Sequence, residues 1–116
     1  MWRLTAGARH VTDSTNASRT LLYNIREGQW DNGLLRLFDI PVSVLPEVLS
    51  CDASFGVIDP KWFGSAVPIT GVAGDQHAAL FGQTCFKPGM AKNTYGTALA
   101  LMMNIGDKFI LSEHGL

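Results

Sequence analysis

The stretch Val72–Gln83, VAGDQHAALFGQ, decides how the rest of the chain is read. A short apolar run closes on Gly74, Asp75 stands at its tip, and an alanine-rich helical pattern starts at once. Strand into helix across a glycine is the order of α/β layers, and the carboxyl end of such a strand opens on the crevice where these sheets bind ligands. Gly74 removes the Cβ that would keep a ligand or a neighbouring strand at a distance. Two readings of Asp75 stand side by side. It caps the Gln76–Phe81 helix by accepting a backbone N–H, the commoner use of an aspartate at this place, or it presents a carboxylate to a ligand. A presented carboxylate suits phosphoryl transfer, whose loose transition state asks for a group that orients a hydroxyl and takes its proton late rather than for a strong base. Gln76, with donors and an acceptor, could hold a second hydroxyl of a polyol.

Outward from this stretch the chain punctuates itself. Towards the N-terminus, TDSTNASRTLLYNI offers Asp13, Ser14, Thr15 and Asn16 as caps, and Leu21, Leu22 and Ile25 at helical spacing predict a short helix. WDNGLLRLFDIP repeats the pattern, with Asp31 or Asn32 as cap and Pro41 as stop. PVSVLPEV reads as a connector, and the segments Phe55–Ile58 and AVPITGVA read as strands. Towards the C-terminus CFKPG breaks the chain, and MAKNTYGTALALMMNIGDKF reads as two strands, the first ending near Tyr95–Gly96–Thr97. That turn is a second candidate site, because Gly96 brings backbone N–H groups within reach of a phosphate and Thr97 adds a hydroxyl. By itself it is more often only a turn. Neither a Walker motif nor GxGxxG is present.

Composition narrows the classes. A chain of 116 residues, 47% hydrophobic, with a net charge of −1 fills a modest core and offers no basic stripe to nucleic acid. Cys51 and Cys85 lack metal or redox spacing and read as free thiols of a reducing compartment. No apolar run nears the roughly 20 residues that cross a bilayer, and no signal peptide is visible, so a cytoplasmic protein without a membrane partner is expected. The opening MWRLTAGARHVTDSTNASRT and the abrupt SEHGL suggest a piece cut from something longer. Met90, Met102 and Met103 with Leu99 and Leu101 read as core, and Trp2, Trp30 and Trp62 as packing residues. Lys92 and Arg19 read as solvated or structural rather than as phosphate contacts. His77 reads as a partly exposed helix residue, and His10 and His114 have no partners at metal-ligand spacing, so no metal site is assigned to the chain.

Three motifs together carry a resemblance: HVTDSTNASRT at residues 10–20, AGDQHAALFGQ at 73–83 and GMAKNTYGT at 89–97. In order and spacing they resemble the FGGY family of carbohydrate kinases, and DIPVSVLPEV fits the family's connector. The AKNTYGT string is similar to the glycerol kinases of that family more than to its pentulose kinases. The resemblance implies part of an actin-like, RNase-H-like two-lobed ATPase fold of class α/β, incomplete in this chain. Residues 1–84 would be the C-terminal part of the first lobe, and 85–116 the hinge and first strands of the second. It further implies ATP-dependent phosphorylation of glycerol to glycerol 3-phosphate by a longer, homo-oligomeric parent, with Mg²⁺ carried by ATP and the isolated piece inactive. Asp75 falls on the family's catalytic base, Gln76 on its glycerol-contacting glutamine, and Gly96 and Thr97 on the turn that meets the nucleotide's phosphates. The chain departs from the family at Ala98, where a second glycine is usual, and at Ala100, where a bulky aromatic is usual. A truncated or degenerate non-catalytic relative, or a kinase for another polyol or a ketopentose, are the alternative readings.

Overall fold

Asp13 organises the first elements of the chain. It ends strand β1 (Val11–Asp13) and caps helix α1 (Ser14–Ala17), its carboxylate accepting from the N–H groups of Thr15 and Asn16 at 2.9 and 3.2 Å. In the computed structural model, which describes residues 1–114, the Thr15 hydroxyl and the Asn16 amide donate to the same carboxylate. Burial pushes this carboxyl up, but the hydrogen bonds from Asn16 and Thr15 outweigh it and hold Asp13 below its usual 3.8. The helix expected to run on through Leu21 and Ile25 stops at Ala17. Side chains take over the backbone there: Ser18 Oγ donates to Thr15 O and Thr20 Oγ1 to Ala17 O, both at 2.8 Å, and Leu22 N donates to Thr20 Oγ1 at 3.2 Å. Such local bonds compete with the helical ladder.

The chain then folds back in a small hairpin, β2 (Tyr23–Asn24) against β3 (Gln29–Trp30), antiparallel. Trp30 packs edge-on against Tyr23 at 5.5 Å between ring centres, and its indole N–H donates to Pro46 O at 2.9 Å. Helix α2 (Asn32–Leu37) follows, capped by Asp31 through Gly33 N and Leu34 N at 2.8 and 3.0 Å, one of the two caps the sequence allowed. After one 3₁₀ turn at Val42–Val44, strand β4 (Glu47–Leu49) lies parallel to β1, with Thr12 opposite Val48. Strands β5 (Gly56–Ile58) and β6 (Val67–Ile69) pair antiparallel, with helix α3 (Pro60–Phe63) between them. The signals for α3 were in plain sequence: Asp59 caps it, Pro60 takes its first position and Gly64 leaves it at φ +75°. Gly56 is needed for a similar reason, because at φ +113° an added Cβ would stand 2.7 Å from Arg9 Cγ. Val11, Ala17, Leu35 and Phe55 are the buried apolar residues of this part of the chain.

Two compact units result, Met1–Ala73 and Gly74–Leu116. The second is built from helix α4 (Asp75–Gly82) on the hairpin of β7 (Ala91–Tyr95) and β8 (Leu99–Met103), close to the boundaries the sequence predicts. Pairing sets Lys92 opposite Met102 and Thr94 opposite Ala100 on one face, and Asn93 opposite Leu101 and Tyr95 opposite Leu99 on the other. Only the first face is covered. Leu99 and Leu101 are each 69% exposed and Met103 54%, so they are not the core residues expected, whereas Met102 is half-buried. One helix can cover only one side of a two-stranded sheet. Cys51 and Cys85 are both free. Among the described residues no helix is long and apolar enough to cross a membrane.

Candidate functional site

The site grows from the start of α4. Gly74, not Asp75, is the N-cap, with φ −62° and ψ 146° and no side-chain capping bond. Asp75 is therefore the first helical residue, and the capping reading of its carboxylate fails. The segment before it also differs from expectation. β6 ends at Ile69 and its residues are largely exposed, so Asp75 does not follow directly on a buried strand; Val72 N donates to Cys51 O at 2.9 Å on the way. The helix N-terminus remains a favourable place for an anion, since its first N–H groups have no helical partner.

Asp75 is exposed, and one of its oxygens, Oδ2, accepts a hydrogen bond from Gln76 Nε2 at 3.1 Å. Among the described residues Oδ1 has no partner. Gln76 is half-buried, and its Oε1 accepts from the ammonium of Lys92. That ammonium also donates to Thr94 Oγ1 at 2.7 Å and to Ala100 O at 3.4 Å. Lys92 is 2% exposed, so it is neither a solvated surface charge nor a phosphate contact. Its three N–H donors meet three oxygens, which is the condition for burying an ammonium without a carboxylate. The structural reading of Lys92 holds, although the sequence did not name these partners. Period-two alternation across the hairpin puts Lys92 on one face with Thr94, Ala100 and Met102, and packing under α4 decides that this face is the covered one.

Gly96 and Thr97 stand in the turn between β7 and β8, both exposed, with Gly96 N donating to Ala98 O at 3.2 Å. Neither Gly96 nor Ala98 takes a positive φ, so the alanine in place of the family's second glycine carries no backbone strain. Among the described residues the Thr97 hydroxyl has no hydrogen-bond partner. Asp75, Gln76, Gly96 and Thr97 thus all lie in the second unit, on one helix and the hairpin it packs against. His77 is half-buried on α4. Among the described residues no three His, Cys, Asp or Glu side chains gather to hold a metal ion.

Comparison with known proteins settles the family. The model of the FGGY family of carbohydrate kinases, N-terminal domain, matches residues 1–82. The chain belongs to the FGGY family of carbohydrate kinases. Among curated proteins this FGGY chain is 58% identical over 116 residues to the glycerol kinase of Shewanella amazonensis, covering all of this chain and 23% of that protein. Among solved structures it superposes on Plasmodium falciparum glycerol kinase with ADP at a TM-score of 0.89, with 43% identity over 98% of this chain and 23% of the other. A ligand-bound xylulose kinase from Lactobacillus acidophilus matches at a TM-score of 0.76 with 25% identity, over 86% of this chain and 21% of the other. The chain therefore spans about a quarter of the length of the relatives it matches. Its mixed α/β arrangement is part of the actin-like fold of these kinases, as the motifs implied.

Proposed function

We propose that the full-length protein carrying this chain is an ATP-dependent glycerol kinase. It would transfer the γ-phosphoryl group of ATP to a glycerol hydroxyl, giving glycerol 3-phosphate and ADP. The observation that carries this reading is the state of Asp75: exposed, on the first turn of α4, not used as a cap, with one oxygen held by Gln76 and the other without a protein partner. In the reaction the substrate oxygen attacks the γ-phosphorus, its proton passes to Oδ1 of Asp75 as the O–H bond breaks, and ADP leaves with the electrons of the cleaved P–O bond. Gln76 has one N–H on Asp75 and a second left to donate to a substrate oxygen. Gly96 and Thr97 offer the exposed turn and a hydroxyl to the nucleotide's phosphates.

Mg²⁺ in this reading arrives with ATP and neutralises its phosphate charge. Glycerol rather than a ketopentose is supported by 58% identity to a glycerol kinase against 25% to a xylulose kinase. Residues 1–84 then close the first lobe and 85–116 supply the hinge and the first strands of the second, in a cytoplasmic homo-oligomer. Asp75→Asn in the full-length protein tests the base. It should lower kcat by about 10²-fold or more at saturating Mg-ATP and leave the melting temperature unchanged. Wild-type turnover in that variant would return Asp75 to a structural role, and absence of turnover in the unmutated protein would favour the non-catalytic relative.

A further inference from the structure

Lys92 has a cost that packing alone does not explain. An ammonium at 2% exposure gives up its hydration, and an apolar residue could fill the same place on β7 with less loss. What the ammonium does that no apolar side chain could is discriminate between the two ends of the Gln76 amide. It is a donor only, so the atom facing it must be Oε1, and a flipped amide would set NH₂ against NH₃⁺. With Oε1 so fixed, Nε2 is turned to Asp75 Oδ2 at 3.1 Å. The same ammonium binds Thr94 Oγ1 within β7 and Ala100 O on β8, which ties α4 to both strands beside the Gly96–Thr97 turn.

We infer that Lys92 is a positioning residue for phosphoryl transfer: through Gln76 it sets which carboxylate oxygen of Asp75 is occupied and which is left free to take the proton. This rests on the reading of Asp75 as the base. It makes Gln76 a hydrogen-bond donor towards substrate and Asp75, with its acceptor engaged from behind. Substrate recognition at this residue then favours a hydroxyl oxygen that accepts. Lys92 is buried with all three of its N–H groups engaged within the protein, so its loss should act on the alignment of the reacting atoms more than on binding.

The test uses the full-length protein, with Lys92→Met, Gln76→Leu, the double variant and Asp75→Asn measured together for kcat, for KM of glycerol and of ATP, and for melting temperature. Lys92→Met should lower kcat by about 10-fold or more with KM for ATP unchanged, the scale of a small misalignment at a reacting centre. Because Lys92 acts through Gln76, the double variant should be no slower than Gln76→Leu alone. If Lys92→Met does not fold, Thr94→Val replaces it. That change keeps the side chain's shape, removes one of the ammonium's three acceptors, and should lower kcat about 3-fold, again without moving KM for ATP. Wild-type kcat in the folded variant, or effects of Lys92→Met and Gln76→Leu that multiply in the double variant, would overturn the inference. Asp75→Asn separates the two failures. If it abolishes turnover while Lys92→Met does not, only the role of Lys92 falls; if it turns over like wild type, the base reading falls and this inference with it.

Discussion

Removing the Asp13 carboxylate should open the start of the chain. Asp13 is 0% exposed and receives five hydrogen bonds: two from backbone N–H groups of α1, two from the side chains of Thr15 and Asn16, and a long one from the Cys51 thiol at 3.6 Å. In Asp13→Ala the cap is lost, at about 1–2 kcal/mol, and the side-chain donors of Thr15 and Asn16, half-buried and exposed, lose a charged partner, at about 1.5–3 kcal/mol. Part of this is offset because a buried charge no longer needs solvating, which leaves a net loss of about 3 kcal/mol. At about 1.4 kcal/mol per factor of ten, local opening should become roughly 150-fold more frequent. Amide hydrogen exchange over residues 11–18 of the full-length protein reads this directly, because protection there reports local opening rather than global unfolding. Asp13→Asn, which keeps one acceptor, should fall between. The pH dependence follows from the depressed carboxyl. Stabilisation is fully present above the unfolded value of 3.8 and is lost as pH falls through the lower folded value, so wild-type protection should be level from pH 7 to 5 and decline only below about pH 4. Wild-type exchange rates in Asp13→Ala would refute this account of α1.

Two further outcomes are expected. The isolated 116-residue chain should bind the dye ANS and self-associate at micromolar concentration, since Tyr95, Leu99 and Leu101 leave one face of the β7–β8 hairpin 69–78% exposed; a sharp cooperative melt of a monomer would contradict this. In a substrate panel the full-length protein should phosphorylate glycerol with a higher kcat/KM than xylulose, by about 10-fold or more on the scale of one buried polar group matched or left unmatched. Faster phosphorylation of xylulose would reverse the substrate assignment.

What the sequence determined by itself lies in residues whose effect is local. An aspartate two or three residues before a free N–H caps a helix wherever the helix packs, so Asp13 and Asp31 were legible as caps. Two β-rich runs separated by Tyr95–Gly96–Thr97 were legible as a hairpin, and the motifs at residues 10–20, 73–83 and 89–97 together carried the family. The end of α1 was not legible, because Ser18 and Thr20 had to be seen bonding to carbonyls before their hydroxyls could be counted against the helix. The parallel pairing of β1 with β4 joins segments more than thirty residues apart, and no local pattern specifies such a partner. Tertiary structure alone decided the site's inner order. Whether Asp75 was cap or first helical residue turned on how the chain entered α4, and the sequence allowed both. Lys92 was hardest to read, because alternation says only that it shares a face with Thr94; which face lies under α4 is a matter of packing. Once that face was covered, the ammonium had to find oxygens within the protein, and it found them at Gln76, Thr94 and Ala100.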